Sequence, residues 1–205
     1  MDIEFTRMGI VYAHLIACCV AIGLVLVSDI DMVKQLIEGD PNKRLDAKHL
    51  ANLQKTVSRA LVVLWITGAA LITLDASIKG WSILANPKLQ SKIAIVTLLT
   101  INGYALHRYV MPLLQRAGSL LHLSFSQRML AVFTGAVSGV SWFYAAMLGI
   151  GRPLNWRYSL FEILAAYPVL IAGGFVAMVF LTAWSQYKAS GDAQAFQGTM
   201  LAGAN

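Results

Sequence analysis

A histidine within the first apolar stretch is the leading candidate for chemistry in this chain. His14 lies in the apolar run 8–27, about 9 Å from its start at a helical rise of about 1.5 Å per residue. Ionisable side chains are costly in a bilayer and mark functional sites by default. The imidazole is either a neutral ring hydrogen-bonded to another helix or a ligand to a metal or haem iron. Because an unpaired polar ring is expensive in hydrocarbon, we expect His14 to face the bundle interior, against the second or third span.

A cysteine shares the predicted helix face of this histidine. Cys18 follows His14 by four residues, which places the two side chains one turn apart. A soft metal such as Cu(I) could use both, and Met8, Cys19 and Met147 add further soft ligands in the same half of the membrane. The alternative is that small cysteines simply pack. Adjacent cysteines at positions 18 and 19 do not form an ordinary disulfide framework.

Two further sets of polar residues lie near the ends of the apolar stretches. The outer set is Asp75, Lys92 and Glu162, and the inner set is Arg59, Asn102, Tyr104, His107, Arg108 and His122. His107 lies some 13 Å deeper than His14, so these two cannot ligate one haem face to face. A bis-histidine haem would need another pairing, such as His107 with His122 at the inner surface.

Each outer residue also has a purely structural explanation. Lys92 can extend its ammonium toward the head groups. Asp75 can pair with Lys79, four residues on. Glu162 completes the pattern Ser159-x-x-Glu162, which is typical of a capping box at a helix start. For Glu162 we favour the structural interpretation.

Five apolar stretches must position these residues. Of the 205 residues, 58% are hydrophobic and only 13% are charged, whereas a soluble domain has about a quarter charged. The stretches run roughly over residues 8–27, 57–74, 93–111, 129–150 and 163–184, and each approaches the ~20 residues that cross a bilayer. The sequence therefore predicts an all-α polytopic bundle of five transmembrane helices in a single domain, 1–188.

The distribution of basic residues predicts the orientation of the bundle. Ten Lys and Arg residues fall on the side of loop 28–56 and six on the other, which places the N-terminus outside and the C-terminus in the cytoplasm. Asp40-Pro41 should begin a cytoplasmic helix that runs without a break into the second span. Asn86-Pro87 should start the third span by the same logic. Residues 189–205 are expected to form a loose tail.

Three pieces of the first 115 residues carry a resemblance to a known group. They are Ala13-His14-Leu15-Ile16 in the first span, Arg59 at the start of the second, and Gly80-Trp81 followed by Lys92 and Arg108 at the two ends of the third. This arrangement resembles the bacterial membrane-bound, haem-type protoporphyrinogen oxidase family and the related copper-resistance D membrane proteins. The resemblance implies a haem b ligand at His14 and the family's third-span lysine at Lys92. The chain differs by an insertion at residues 84–90.

Three functions remain open at the level of sequence. The first is a haem b-binding redox protein working with quinone or a porphyrin, with His14, Lys92 and His107 as candidate cofactor-binding residues and Arg59 or Arg108 pairing with haem propionates. The second is a metal-ion (copper) handling protein with His14 as a ligand. The third is an accessory subunit that assembles through small-residue surfaces, at Gly135, Ser138 and Gly139 on span four and Gly173-Gly174 on span five, as a homo-oligomer or in a larger complex. The expected partner throughout is the lipid bilayer of the bacterial inner membrane, and no basic-aromatic pattern suggests nucleic acid.

The predicted orientation can be tested by cysteine labelling. On a background in which Cys18 and Cys19 are replaced by Ala, Asn42→Cys should react with a membrane-impermeant maleimide only after the membrane is opened. Lys79→Cys should react in intact cells. Labelling of position 42 from outside would reverse the orientation.

Overall fold

Six α-helices form the described part of the chain, residues 3–38 and 47–202 of the computed structural model. They are α1 (Ile3–Glu38), α2 (Ala47–Lys79), α3 (Pro87–Ala105), α4 (Met111–Ala117), α5 (Phe125–Ile150) and α6 (Leu160–Ala202). A π-helical turn, Leu106–Val110, joins α3 and α4 into one continuous rod. Five helices, α1, α2, the α3–α4 rod, α5 and α6, are long and apolar enough to cross a membrane. This confirms the predicted number of spans and the all-helical class.

The first helix extends well beyond its predicted end. At about 1.5 Å per residue, the 36 residues of α1 span about 54 Å, while a bilayer core is about 30 Å thick. Residues 28–38, which we assigned to the first loop, are therefore helical. Leu36 explains the extension, because it is only 3% exposed and packs with Val110 and Leu114 of the third span. The helical periodicity of apolar residues thus continues past the charged Asp29 and Asp31.

The second helix starts before the membrane, as predicted. Within the described residues α2 begins at Ala47 and continues without interruption to Lys79. The predicted cap at Asp40-Pro41 lies outside the described residues. At the other end of the chain, α6 continues as a helix to Ala202, through most of the segment that we expected to form a loose tail. Residues 189–202 include four Ala, the residue that favours helix most.

Two predicted helix starts are confirmed by their hydrogen bonds. The Asn86 side chain accepts a hydrogen bond from the backbone N–H of Lys88 at 3.0 Å, with Pro87 at the first helical position. Ser159 and Glu162 form the predicted capping box. The Ser159 backbone N–H donates to Glu162 Oε2 at 2.7 Å, and the Glu162 N–H donates to Ser159 Oγ at 3.3 Å. Glu162 therefore has a structural role at the start of α6.

The helices group into a packed body and a hairpin. In the body, α3 packs along α5, and α5 packs along α6. Polar contacts join these helices: Asn102 Nδ2 donates to the carbonyl of Thr134 at 2.9 Å, and Ser141 Oγ lies 2.8 Å from Tyr167 Oη. The hairpin consists of α1 and α2, which pack mainly against each other. Because the hairpin meets the body over a smaller area, space is left between them.

The buried amide of Asn102 should contribute measurably to stability. Replacing Asn102 with Leu removes its hydrogen bond to α5 and leaves the Thr134 carbonyl without that donor, which should cost about 1 kcal/mol. The measurement is a thermal unfolding midpoint in detergent. Tyr104→Phe, which removes an exposed hydroxyl from the same helix, should leave the midpoint unchanged. Equal midpoints for all three proteins would contradict this assignment.

Candidate functional site

His14 faces the second helix, as predicted. The side chain is half-buried, and its Nδ1 lies 2.7 Å from Thr67 Oγ1 on α2. A Cβ built on Gly68 would lie 3.7 Å from His14 Cε1, so the imidazole packs closely over the α2 backbone at a residue without a side chain. The cost of an unpaired polar ring predicted that His14 faces another helix, and the structure confirms this orientation.

The partner of this histidine determines which ring nitrogen carries the proton. Thr67 Oγ1 donates its single proton to the carbonyl of Val63, 2.7 Å away, with the carbonyl of Leu64 at 3.3 Å. Either His14 Nδ1 donates to Thr67 Oγ1, or the hydroxyl turns and donates to Nδ1. The two carbonyls within reach of the hydroxyl favour the first arrangement, in which Thr67 accepts from His14. We therefore assign the proton of the neutral ring to Nδ1. Nε2 is left with a free lone pair, which is the arrangement of a metal-ligating histidine whose other nitrogen is held by a hydrogen bond.

A cation lies close to this histidine. Lys92, near the start of α3, is half-buried, and its ammonium is near enough to His14 and Cys18 for an electrostatic interaction with each. Its Nζ would lie 3.8 Å from a Cβ added at Gly149, so the side chain crosses toward the end of α5. Lys92 has no carboxylate partner within the described residues. His14, Thr67, Cys18 and Lys92 therefore form one cluster, which we call the outer cluster.

The acid at the end of the second span has a different partner from the one predicted. Asp75 Oδ1 accepts from Arg7 Nε at 3.0 Å, which joins α1 to α2 at the same end of the hairpin as the outer cluster. The predicted pairing with Lys79 is therefore wrong. Local spacing favoured Lys79, but the antiparallel approach of α1 brings the Arg7 guanidinium closer to the carboxylate.

The remaining predicted site residues lie on the outside of the bundle. Arg59, His107 and Arg108 are exposed. Asn102 occupies the face of the rod that meets α5, and His107, five residues later, is turned away from it. His122 is also exposed, and its Nδ1 donates to the carbonyl of Ala117 at 3.2 Å. The structure therefore does not bring these four side chains to the outer cluster or to the bundle interior.

The soft ligands do not assemble into a metal site. Within residues 3–38 and 47–202, no three His, Cys, Asp or Glu side chains are placed to hold a metal ion. Cys18 is half-buried beside His14, but Cys19, Met8 and Met147 are exposed. The described part of the chain therefore contains no preformed set of three such ligands that would support the copper-handling hypothesis.

A cavity of about 910 Å³ lies between the hairpin and the body. Its acidic and amide lining residues all come from the hairpin: Asp29, Asp31 and Gln35 on α1, and Gln54 on α2. Helices α3, α4 and α6 contribute only apolar residues and glycine, and α5 adds Ser138 and Tyr144 to its apolar and glycine residues. None of the five predicted cofactor-binding residues lines it.

Sequence reasoning missed three polar residues that the structure places at a helix contact or along the cavity, namely Thr67, Gln54 and the exposed Asp29. Thr67 and Gln54 are common residue types in unremarkable positions, and only the register of α2 against α1 gives them their roles. Asp29 was interpreted as the end of the first span. The signal that could have identified it is the apolar periodicity of Met32, Val33 and Leu36, which continues the helix beyond the acid.

Comparison of the chain with known protein families, curated proteins and solved structures gave no match.

The assigned tautomer of His14 predicts a spectroscopic difference between two threonine variants. In ¹⁵N-histidine NMR, the wild-type ring should show a protonated Nδ1 and an unprotonated Nε2. Thr67→Val removes the acceptor, so the His14 signals should shift toward the Nε2–H form usual for an unconstrained ring. Thr73→Val is the matched control, because Thr73 bonds only the carbonyls of Ala69 and Ala70 in its own helix. A His14 spectrum that is insensitive to Thr67→Val would show that this hydrogen bond does not fix the ring.

Proposed function

We propose that the protein is a haem b-binding redox protein of the bacterial inner membrane and that His14 would hold the haem iron through Nε2. The observation that carries the proposal is the hydrogen bond from His14 Nδ1 to Thr67, which leaves Nε2 free. When bound, haem b would supply one-electron chemistry, while the protein supplies ligand, orientation and dielectric.

The residues of the outer cluster suit such a group. Thr67 holds the imidazole in one orientation and would strengthen Nε2 as a ligand by accepting the proton of Nδ1. Lys92 is a half-buried ammonium without a carboxylate partner in the described residues, and it can neutralise a propionate. The assigned roles are therefore ligand for His14, orientation for Thr67 and charge pairing for Lys92.

The residues on the outside of the bundle do not support a second internal ligand. His107 and His122 are exposed, so a bis-histidine haem inside the described bundle is not favoured. Arg59 and Arg108 are exposed as well, and Lys92 replaces them as the proposed propionate partner. Electrons would be exchanged with a quinone or a porphyrin, as the resemblance suggests.

Haem binding can be tested by the reduced-minus-oxidised spectrum of protein purified from haem-replete cells. The wild type should show a Soret band and b-type α and β bands. His14→Ala should abolish most of this absorbance, because the ligand is lost. His107→Ala and His122→Ala should leave it unchanged, because both rings lie outside the bundle.

A second pair of variants tests whether the charge of Lys92 contributes to haem binding. Lys92→Gln should lower the haem content of the purified protein, whereas Lys79→Gln, an exposed lysine beyond the cluster, should not. Absence of a Soret band in folded, haem-replete wild type would refute haem binding. A band that survives His14→Ala but disappears in His107→Ala would move the cofactor to the inner surface.

A further inference from the structure

None of the four residues of the outer cluster lines the cavity between the hairpin and the body, although on α5 the lining extends to Met147, two residues from the Gly149 that Lys92 approaches. Of the lining residues on α1, Leu24 is the nearest to His14. It lies ten residues, and therefore about 15 Å, further along the helix. A volume of about 910 Å³ is at the upper end of the range of small-molecule sites, which are ~300–1,000 Å³. The lining combines large apolar surfaces with a few polar groups, as such sites do.

The carboxylates and side-chain amides lie on one wall of the cavity. Asp29 and Asp31 project from α1, and Gln54 projects from α2. The contact between His14 and Thr67 sets the register of the two antiparallel helices. Asp29 is fifteen residues further along α1 and Gln54 is thirteen residues back along α2, so the two lie at nearly the same depth. The opposite wall contains Leu99, Val140 and Trp142 and is mainly apolar, with Ser138 and Tyr144 as its polar residues.

The charges of the lining disfavour anionic ligands. The lining contains two carboxylates, and it contains no Lys, Arg or His among the described residues. A porphyrin with its propionates, a fatty acid or an acidic lipid head group would bring negative charge next to Asp29 and Asp31 with no cation to offset it. The cavity therefore favours a ligand without negative charge.

A hydrogen-bond donor without an acceptor in the lining further limits the class of ligand. Gln54 Nε2 is buried and has no hydrogen-bond partner. A buried amide N–H without an acceptor is costly, so a ligand that offers an oxygen would remove this penalty. A lipophilic cation would pair with Asp29 but would leave Gln54 unsatisfied. Asp29 itself has no partner in the described residues, and its Oδ2 lies 3.4 Å from the Cβ position of Gly139, so it is free to accept a hydrogen bond.

We propose that this cavity binds a membrane quinone, with the ring against the polar wall and the isoprenoid tail along the apolar wall. Gln54 Nε2 donates to one oxygen of the ring in either redox form. Asp29 accepts from a hydroxyl of the reduced form. The assignment of this quinone site does not depend on haem binding. Only the role of the quinone as an electron partner rests on the proposed function.

The first test fills the cavity without disturbing the packing. Gly135 lines the cavity, and a Cβ added there meets nothing within 4 Å, so Gly135→Leu should place its side chain in the open space. Gly173→Leu is the matched control, because a Cβ at Gly173 also meets nothing within 4 Å but that residue does not line the cavity. Binding of decylubiquinone to protein in nanodiscs is followed by quenching of tryptophan fluorescence, since Trp142 lines the cavity.

The expected result is saturable quenching in the wild type and in Gly173→Leu, and a loss of the saturable component in Gly135→Leu. Gln54→Leu, which removes the donor at similar volume, should weaken binding about tenfold. Gln115→Leu, an exposed glutamine away from the cavity, should bind as the wild type does. Thermal unfolding midpoints identify any variant that fails to fold.

Two results would overturn the proposal. One is quenching that rises linearly with quinone in every variant, as simple partition into lipid would produce. The other is binding of tetraphenylphosphonium that requires Asp29 while decylubiquinone does not bind, which would assign the cavity to lipophilic cations. The Soret band separates this proposal from haem binding. Gln54→Leu should weaken quinone binding and leave the Soret band unchanged, whereas a wild type that binds decylubiquinone without a Soret band would refute haem binding alone.

Discussion

Lipid hydrocarbon offers no hydrogen-bond partner, so each polar group that this chain carries into the membrane must find one within the protein. Most hydroxyls are satisfied locally. Thr97 and Thr100, for example, donate to the carbonyls of Ile93 and Val96 in their own helix. This local bonding leaves few polar groups for contacts between helices, and those few determine how the helices are arranged. His14 with Thr67 sets the register of the hairpin, and Asn102 with the Thr134 carbonyl sets that of α3 against α5.

The same constraint separates tight contacts from open ones. Where α5 meets α6, small residues allow close approach: a Cβ on Gly174 would lie 3.9 Å from both Ala136 and Val140. Where the hairpin meets the body, acidic and amide side chains line the gap and the helices remain apart. Of the three buried polar atoms without a partner in the described residues, one, Gln54 Nε2, belongs to a cavity-lining residue, and the others are Arg128 Nε and Ser185 Oγ. The gap between the hairpin and the body thus also contains a hydrogen-bond donor without an acceptor.

The sequence predicted those features that depend on short-range chemistry. Span number follows from apolar length, the starts of α3 and α6 follow from Asn86 and from Ser159 with Glu162, and the direction of His14 follows from the cost of an unpaired ring. Features that depend on the approach of distant segments were not predictable. Arg7 reaches Asp75 only because α1 and α2 are antiparallel neighbours, and His107 points outward only because Asn102 takes the face toward α5. Asp29 was misplaced because a charge was interpreted as a membrane boundary, whereas the packing of Leu36 extends the helix past it.

The hydroxyl of Thr67 connects a side chain on one helix to the backbone of another in a single direction. The imidazole N–H points to the hydroxyl, and the hydroxyl points to the carbonyls of Val63 and Leu64, so the dipoles are aligned and polarise one another. Moving the proton from Nδ1 to Nε2 would make Nδ1 an acceptor, and Thr67 would then have to turn its proton away from the carbonyls to keep the contact. The protonation pattern of the ring is therefore coupled to the hydrogen bonds between Thr67 and the main chain of α2. A small change in the backbone conformation of α2 near residue 63 would therefore change the electron density at His14, even if the histidine itself did not move.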